Sequence, residues 1–596
     1  MSTAIVTGQP VPGSSLENDL RSLGFDVRAA TDALEAESLL AAVPADRRVA
    51  LVDARFVGHL HALRLGLTDP RFPLAAVPGA VTAQPAARQA LTRALARETS
   101  AGGGTAVVVD SVADRVVTAL DADGGAVHRP ELGSLVAAVP EDPQARNEVR
   151  QAVAAVDDEA VRLKSAVKSR DGFFTTFFIS PYSRYIARWC ARRGLTPNQV
   201  TTASLLTALI AAGCAATGTR AGFVAAGVLL IASFVLDCTD GQLARYALKY
   251  STLGAWLDAT FDRAKEYAYY AGLALGAARG GDDVWALALG AMILQTCRHV
   301  VDFSFNEANH DATANTSPTA ALSDKLDSVG WTVWLRRMIV LPIGERWAMI
   351  AVLTAATTPR ITFYVLLIGC AFAATYTTAG RVLRSLTRKA ERTDRAAKAL
   401  ADLADSGPLA EALSRIALPL RTPVASALMG TAAVVLTACL APYGSWLPVL
   451  GAVFYVAFSA LAAARPLTGA LDWLVPPLFR AAEYGTVLAL ASKAGVNGTL
   501  PAAFGLVAAV AYHHYDTVYR IRGNAGAPPA WLVRAIGGQE GRTLLVTVLA
   551  ALLTASQFKV ALTVLAVAVA LVVLVESIRF WVSAGAPAVH DEGEPA

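Results

Sequence analysis

The chain has 596 residues, 54% of them hydrophobic, a mean hydropathy of +0.44 and a formal net charge of only +4. That composition excludes an ordinary soluble enzyme and fits a polytopic membrane protein with room for three or four modules. The near-neutral balance gives no electrostatic footprint for nucleic acid. The six cysteines are scattered, with no CxxC or Cys/His cluster, so neither a zinc site nor a disulfide framework is implied.

Residues 1–165 read as a soluble α/β domain, expected in the cytoplasm because no basic-then-apolar leader opens the sequence. Runs at Ala4–Thr7, Val49–Asp53 and Thr105–Asp110 alternate with helix-like stretches at Ser15–Leu23, Thr31–Ala42 and Ala86–Arg97. The alternation predicts a parallel sheet. The early glycines, Gly8 and Gly13, spell neither GxGxxG nor a P-loop, and Gly102 to Gly104 read as a hinge or turn. Asp53 and Asp110 close strand-like runs, where Asp is a turn former. Residues 144–168 predict a charged connecting helix. Residues 168–195 interleave aromatics with bases, which suits an amphipathic juxtamembrane helix on an anionic leaflet, or else a soluble helix packed on a neighbouring domain.

Six apolar spans follow, at 198–217, 221–240, 254–279, 284–305, 345–359 and 360–383, within a membrane domain at 196–386. Arg184, Arg188, Arg192 and Arg193 precede the first span; Arg381, Arg384, Arg388, Lys389 and Arg392 follow the sixth. Both ends are therefore expected on the cytoplasmic side. A polar loop covers 306–330 and a charged helical linker 387–420. A second apolar block at 421–584 predicts spans at 423–441, 446–464, 469–492, 501–519, 543–557 and 560–582. A polar tail, 585–596, is expected to be disordered.

The chemistry concentrates between Asp237 and Asp262. Asp237 and Asp240 are spaced i, i+3, and Asp258 and Asp262 are spaced i, i+4, so each pair shares one helix face. Four carboxylates in apolar segments are costly in a bilayer. A hard dication such as Mg²⁺ or Mn²⁺ would neutralise them. Gly241 and Ala244 are small enough to let a flat ligand approach the backbone, and Arg245 supplies a cation for phosphate. The topology puts the end of the second span and the start of the third on the same cytoplasmic face. The other reading is a transporter or membrane scaffold whose buried acids form ion pairs or bind a metal.

This stretch resembles the CDP-alcohol phosphotransferase family, whose signature D-x2-D-G-x2-A-R-x8-G-x3-D-x3-D is filled here at every fixed position, Gly254 included. The resemblance implies a six-helix membrane bundle. The bundle would transfer a substituted phosphoryl group from a CDP-linked donor to an alcohol, releasing CMP. It implies two metal ions, Mg²⁺ or Mn²⁺, on Asp237, Asp240, Asp258 and Asp262, with Asp262 also the general base. It places Gly241, Ala244, Arg245, Ser251 and Gly254 on the donor. Pro197-Asn198-Gln199-Val200-Thr201 matches a turn that opens the family's first span, so Asn198 and Thr201 are nucleotide-site candidates, or simply helix caps. The donor is either CDP-diacylglycerol or a soluble CDP-polyol; the acceptor is an alcohol or polyol phosphate. Arg298, Arg336, Arg337 and Arg346 are candidate acceptor anchors. Some relatives carry an N-terminal nucleotidyltransferase domain; residues 1–165 have its position but lack its glycine-rich loop, which implies a degenerate, inactive version.

The second block echoes the first. Trp256–Tyr267 aligns without gaps to Trp473–Tyr484, with Asp258 replaced by Val475 and Asp262 by Phe479. The reading is a decayed copy that cannot hold metal. Relatives are homodimers, so the expected assembly is a homodimer or an internal pseudo-dimer. His513, His514, Asp516, Arg520 and Arg522 are the competing candidate for a separate site.

Overall fold

The computed structural model describes residues 2–101, 111–168, 171–311, 334, 338–387, 391–416 and 422–583. Its backbone divides into two compact units. The first comprises Met1–Ser169, Tyr182–Pro197 and Thr239–Ser251. The second comprises Arg170–Pro181, Asn198–Cys238 and Thr252–Ala596.

The first unit opens with β1 (Ser2–Thr7), α1 (Leu16–Ser22), β2 (Phe25–Ala30), α2 (Ala33–Ala42) and β3 (Val49–Asp53). It continues with β4 (Val57–Gly58), α3 (Leu60–Thr68), β5 (Leu74–Val77), β6 (Ala80–Ala83), α4 (Arg88–Ala101), α5 (Val112–Ala122) and β7 (Ala137–Ala138). The main sheet runs β2-β1-β3-β6-β5. β1 is parallel to β2 and β3, but β6 is antiparallel to both β3 and β5. The sheet is thus mixed rather than parallel as expected. The reason is local: Pro78 and Gly79 are the only residues between β5 and β6, and a two-residue connection joins only antiparallel neighbours. Gly79 has φ +78°, and a Cβ there would lie 2.2 Å from a Val139 methyl, so glycine is required twice over.

Alternation along the strands feeds two cores. Ile5, Val49, Leu51, Val81 and Ala83 face one, and Ala4, Val6, Ala50, Val52 and Ala80 face the other. Asp53 accepts from the amide of Arg55 at 2.8 Å and pairs with its guanidinium, so it does shape a turn. Asp110, Thr105–Asp110 and Gly102 to Gly104 lie outside the described residues. The expected single helix at 144–168 is two, α6 (Pro143–Ala154) and α7 (Asp158–Ser165). Asp157 interrupts it, because its carboxylate accepts from the amides of Glu159 and Ala160 and starts a new helix.

After α8 (Ser180–Arg192) the helices fall where the apolar spans predict them. They are α9 (Pro197–Ala216), α10 (Arg220–Ala247), α11 (Thr252–Arg279), α12 (Trp285–Asn309), α13 (Ile343–Ala356) and α14 (Pro359–Thr387). The linker forms α15 (Asp394–Ala404) and α16 (Pro408–Ser414). The second block holds α17 (Pro423–Leu440), α18 (Leu447–Ala463), α19 (Val475–Lys493), α20 (Thr499–Arg522), α21 (Ala530–Ala535), α22 (Gly538–Leu552) and α23 (Ala555–Ser583). Among the described residues, α9, α10, α14, α17 and α23 are long and apolar enough to cross a membrane, and α18 is apolar but shorter. Their outward faces carry large bare hydrophobics such as Ile210, Val228, Ile368, Phe372, Leu440 and Leu571. This is the surface of a multi-pass membrane protein.

The other long helices of this unit keep their charges inside. On α11, Arg263 and Glu266 pair at 3.0 Å, and Arg346 of α13 reaches the same Glu266 at 3.1 Å. On α19, Arg480 and Glu483 pair at 3.0 Å, and Arg542 of α22 reaches Glu483 at 2.6 Å. Glu345 accepts from the amide of Phe174, and Glu540 from the amides of Gly407 and Ala410. Asp405 adds a partner in the second set only, binding Arg542 at 2.7 Å, Arg480 and His513. Between the blocks, α12 packs on both α19 and α20, and α20 packs on both α11 and α12.

α11 approaches α9 through Gly272 and Gly276. A Cβ on these glycines would fall 2.4 Å from the Ala212 carbonyl oxygen and 2.1 Å from that of Ala215. Gly276→Leu should therefore push the two helices apart and cost about 1–3 kcal/mol or more. The check is a drop in the thermal unfolding midpoint of the detergent-solubilised protein; an unchanged midpoint would refute the close crossing.

In the first unit, His61 of α3 is 2% exposed, and neither ring nitrogen has a hydrogen-bond partner among the described residues. Burial first, then Arg162, Arg64 and His59, pushes its imidazole down to about 3. The unfolded chain takes that proton near pH ~6.5 while the folded domain refuses it. Stability is therefore lost as pH falls from about 6.5 toward about 3. Limited proteolysis should cut this unit faster at pH 5 than at pH 7.5. His61→Leu should narrow that difference.

Candidate active site

α10 ends in a tight reversal. Leu248 adopts a left-handed φ of +51°, and the amide of Lys249 closes back on the Ala244 carbonyl at 3.0 Å. Only Leu248 to Ser251 separate α10 from α11. The chain thus doubles back directly after one pair of carboxylates and brings up the next pair.

The outcome is a cluster. Asp237, Asp240 and Asp258 each offer a carboxylate oxygen, and these oxygens all lie within 4.8 Å of one another. Asp240 is buried; Asp237 and Asp258 are half-buried. Hard oxygen donors converging at this spacing fit a divalent cation such as Mg²⁺ or Mn²⁺. Asp262 stands beside this triple: its Oδ1 lies 2.8 Å from the Lys265 ammonium, which also contacts Asp237. Lys265 is fully buried. It was not singled out from the sequence. The signal was available, since Lys265 follows Asp262 by three residues and Asp258 by seven, on the same helix face.

The segment expected to face the donor is held within the first unit. The Arg245 Nε donates to the Ala166 carbonyl at 2.6 Å. Arg162 donates to the Tyr246 carbonyl at 2.8 Å and lies 3.6 Å above its ring, while the Tyr246 hydroxyl donates to Glu159 at 2.8 Å. Ser183 of α8 donates to Gln242 at 2.8 Å, and the Arg71 guanidinium sits 4.1 Å over the Tyr250 ring. A Cβ on Gly241 would lie 3.5 Å from Arg245 Nη1. Ala244 and Gly254 are half-buried and Ser251 is exposed. At the start of α9, Thr201 is buried and Asn198 half-buried, its carbonyl accepting from Thr202.

The acceptor candidates are differently placed. Arg298 is buried and donates to the carbonyls of Val340 and Leu341, and Arg346 is committed to Glu266. Arg336 and Arg337 lie outside the described residues. The cluster proposed as a separate site is internally satisfied in part. Arg520 pairs with Asp516 and Glu576, and Asp516 accepts from Ser577 and from Trp581.

Comparison with known families fits this geometry: the CDP-alcohol phosphatidyltransferase family matches residues 194–373. This part of the chain belongs to that family. A second match, to a family of unknown function (DUF5941), covers residues 394–596. The CDP-alcohol phosphatidyltransferase region is similar to a phosphatidylinositol phosphate synthase of Streptomyces avermitilis, 34% identical over 131 residues, 21% of this chain and 51% of that protein. An archaetidylinositol phosphate synthase of Pyrococcus horikoshii is 32% identical over 113 residues, 19% of this chain and 58% of that protein. A bifunctional IPC transferase and DIPP synthase of Aquifex aeolicus is 32% identical over 114 residues, 19% of this chain and 26% of that protein. This chain thus spans about half the length of the first of these relatives, and less of the bifunctional protein.

Proposed function

We propose that this protein transfers a substituted phosphoryl group from a CDP-linked donor to an alcohol acceptor, releasing CMP, in phospholipid or inositol-phosphate-type synthesis. The observation that carries the reading is the convergence of Asp237, Asp240 and Asp258 at the α10–α11 reversal, inside a domain of this family. Two of the named relatives make inositol phosphate lipids by name. That favours a CDP-linked lipid as donor and a polyol phosphate as acceptor, with a soluble CDP-polyol the second choice.

Asp237, Asp240, Asp258 and Asp262 would hold Mg²⁺ or Mn²⁺, two ions by family resemblance. When bound, the metal would neutralise the pyrophosphate and stabilise the departing CMP. Asp262 would take the acceptor's hydroxyl proton, the role the resemblance implies. Gly241, Ala244 and Gly254 leave room for the nucleotide, with Asn198, Thr201, Arg245 and Ser251 around it. The arginines in and just after α8, and those at the end of α14 and beyond it, favour a cytoplasmic side for this face by the positive-inside rule. Arg298, Arg336, Arg337 and Arg346 are the candidate acceptor anchors, although Arg298 also donates to backbone carbonyls and Arg346 also pairs with Glu266.

The second block fits a duplicated copy, forming a pseudo-dimer within one chain. What supports this is the repetition of Arg263–Glu266–Arg346 as Arg480–Glu483–Arg542, with Val475 and Phe479 buried where the carboxylates would stand. The purified chain should then run as a monomer of 62.2 kDa by light scattering. A dimer would sink the pseudo-dimer.

Asp262→Asn should lower CMP release by about a hundredfold or more, because a general base is lost. The protein should remain monodisperse. Near-wild-type release would remove Asp262 from the chemistry. No release from the wild type with any CDP-lipid or CDP-polyol donor would return the chain to the transporter or scaffold reading.

A further inference from the structure

Lys265 stands out among the buried groups around the cluster. Its side chain is fully shielded, and its ammonium has three donors. It contacts Asp237, forms an ion pair with Asp262 Oδ1 at 2.8 Å, and donates to Ser204 Oγ at 3.2 Å. The Trp347 ring lies 5.4 Å from the same nitrogen and closes that side. Ser204 is fixed in turn, through its exchange of hydrogen bonds with Ser233. The lysine is therefore built into the cluster.

Its placement divides the four carboxylates. Asp237, Asp240 and Asp258 converge on one side. Asp237 and Asp262 share the ammonium on the other. A dication bridging Asp237 and Asp262 would have to sit against a positive charge already within ion-pair distance of one oxygen of each.

We propose that Lys265 takes the place of one of the two metal ions, so that the resting site holds a single dication on Asp237, Asp240 and Asp258. Lys265 then acts as a fixed cation that positions Asp262. This rests on the metal-dependent reading of the site and revises its ion count from two to one.

The test counts ions rather than turnover. Full-length protein in detergent micelles is titrated with Mn²⁺ and followed by electron paramagnetic resonance. The wild type should bind one Mn²⁺ per chain with the spectrum of an isolated ion. Lys265→Met should bind two, with a spectrum broadened by exchange coupling; Lys265→Arg should stay at one. Two coupled ions in the wild type would overturn the proposal, as would one ion in a monodisperse Lys265→Met protein, or no Mn²⁺ bound at all. Should Lys265→Met fail to fold, the wild-type count decides by itself. One bound Mn²⁺ without CMP release from any donor would sink the transferase reading and leave the ion count standing.

Discussion

Negative charge in an apolar helix is the constraint around which this protein is organised. Carboxylates on α10 and α11 are unfavourable in a membrane unless something positive meets them. The tight reversal at Leu248 gathers three of them to within 4.8 Å, and Lys265 meets two of the four. The rest of the bundle follows the same rule. Each buried acid of the neighbouring helices has an arginine or a backbone amide beside it: Glu266 with Arg263 and Arg346, Glu483 with Arg480 and Arg542, Glu540 with the amides of Gly407 and Ala410. Breaking such a pair strands a charge, which costs far more than the pair contributes. The bundle is therefore rigid where its charges are, and its apolar faces are left to the lipid.

The two blocks put similar ionic parts to different ends. In the first, an arginine–glutamate–arginine set begins directly after Asp262, beside the carboxylate cluster. In the second, Asp405 enters from the linker and binds both arginines and His513. The second set is thereby closed upon itself, and the helix that carries it has Val475 and Phe479 in place of acids.

Much of this was legible in the sequence because the signals are local. Every apolar span became a helix near its expected bounds, since hydrophobic length is a property of contiguous residues. The i, i+3 and i, i+4 acid spacings translated directly into shared faces. What was not legible depended on partners far along the chain. The mixed sheet turned on Pro78 and Gly79, a two-residue connection whose consequence outweighs the alternation of strands and helices. Nothing in the sequence shows that Arg298 meets the carbonyls of Val340 and Leu341 or that Arg346 meets Glu266. The spacing of Lys265 marks the helix face it shares with Asp258 and Asp262, but not that Asp237, 28 residues away, would meet it.

The last turn of α10 has a further consequence. Tyr246, Arg245 and Gln242 are gripped by Arg162, Glu159, Ala166 and Ser183, all contributed from before the first span. A gene trimmed to the matched region at 194–373 would keep every signature residue and lose every one of those grips. Heredity can shuffle that stretch as a module, but mechanically it is not one. A truncated version should be judged by the order of Gly241 to Ser251 rather than by the presence of its motif.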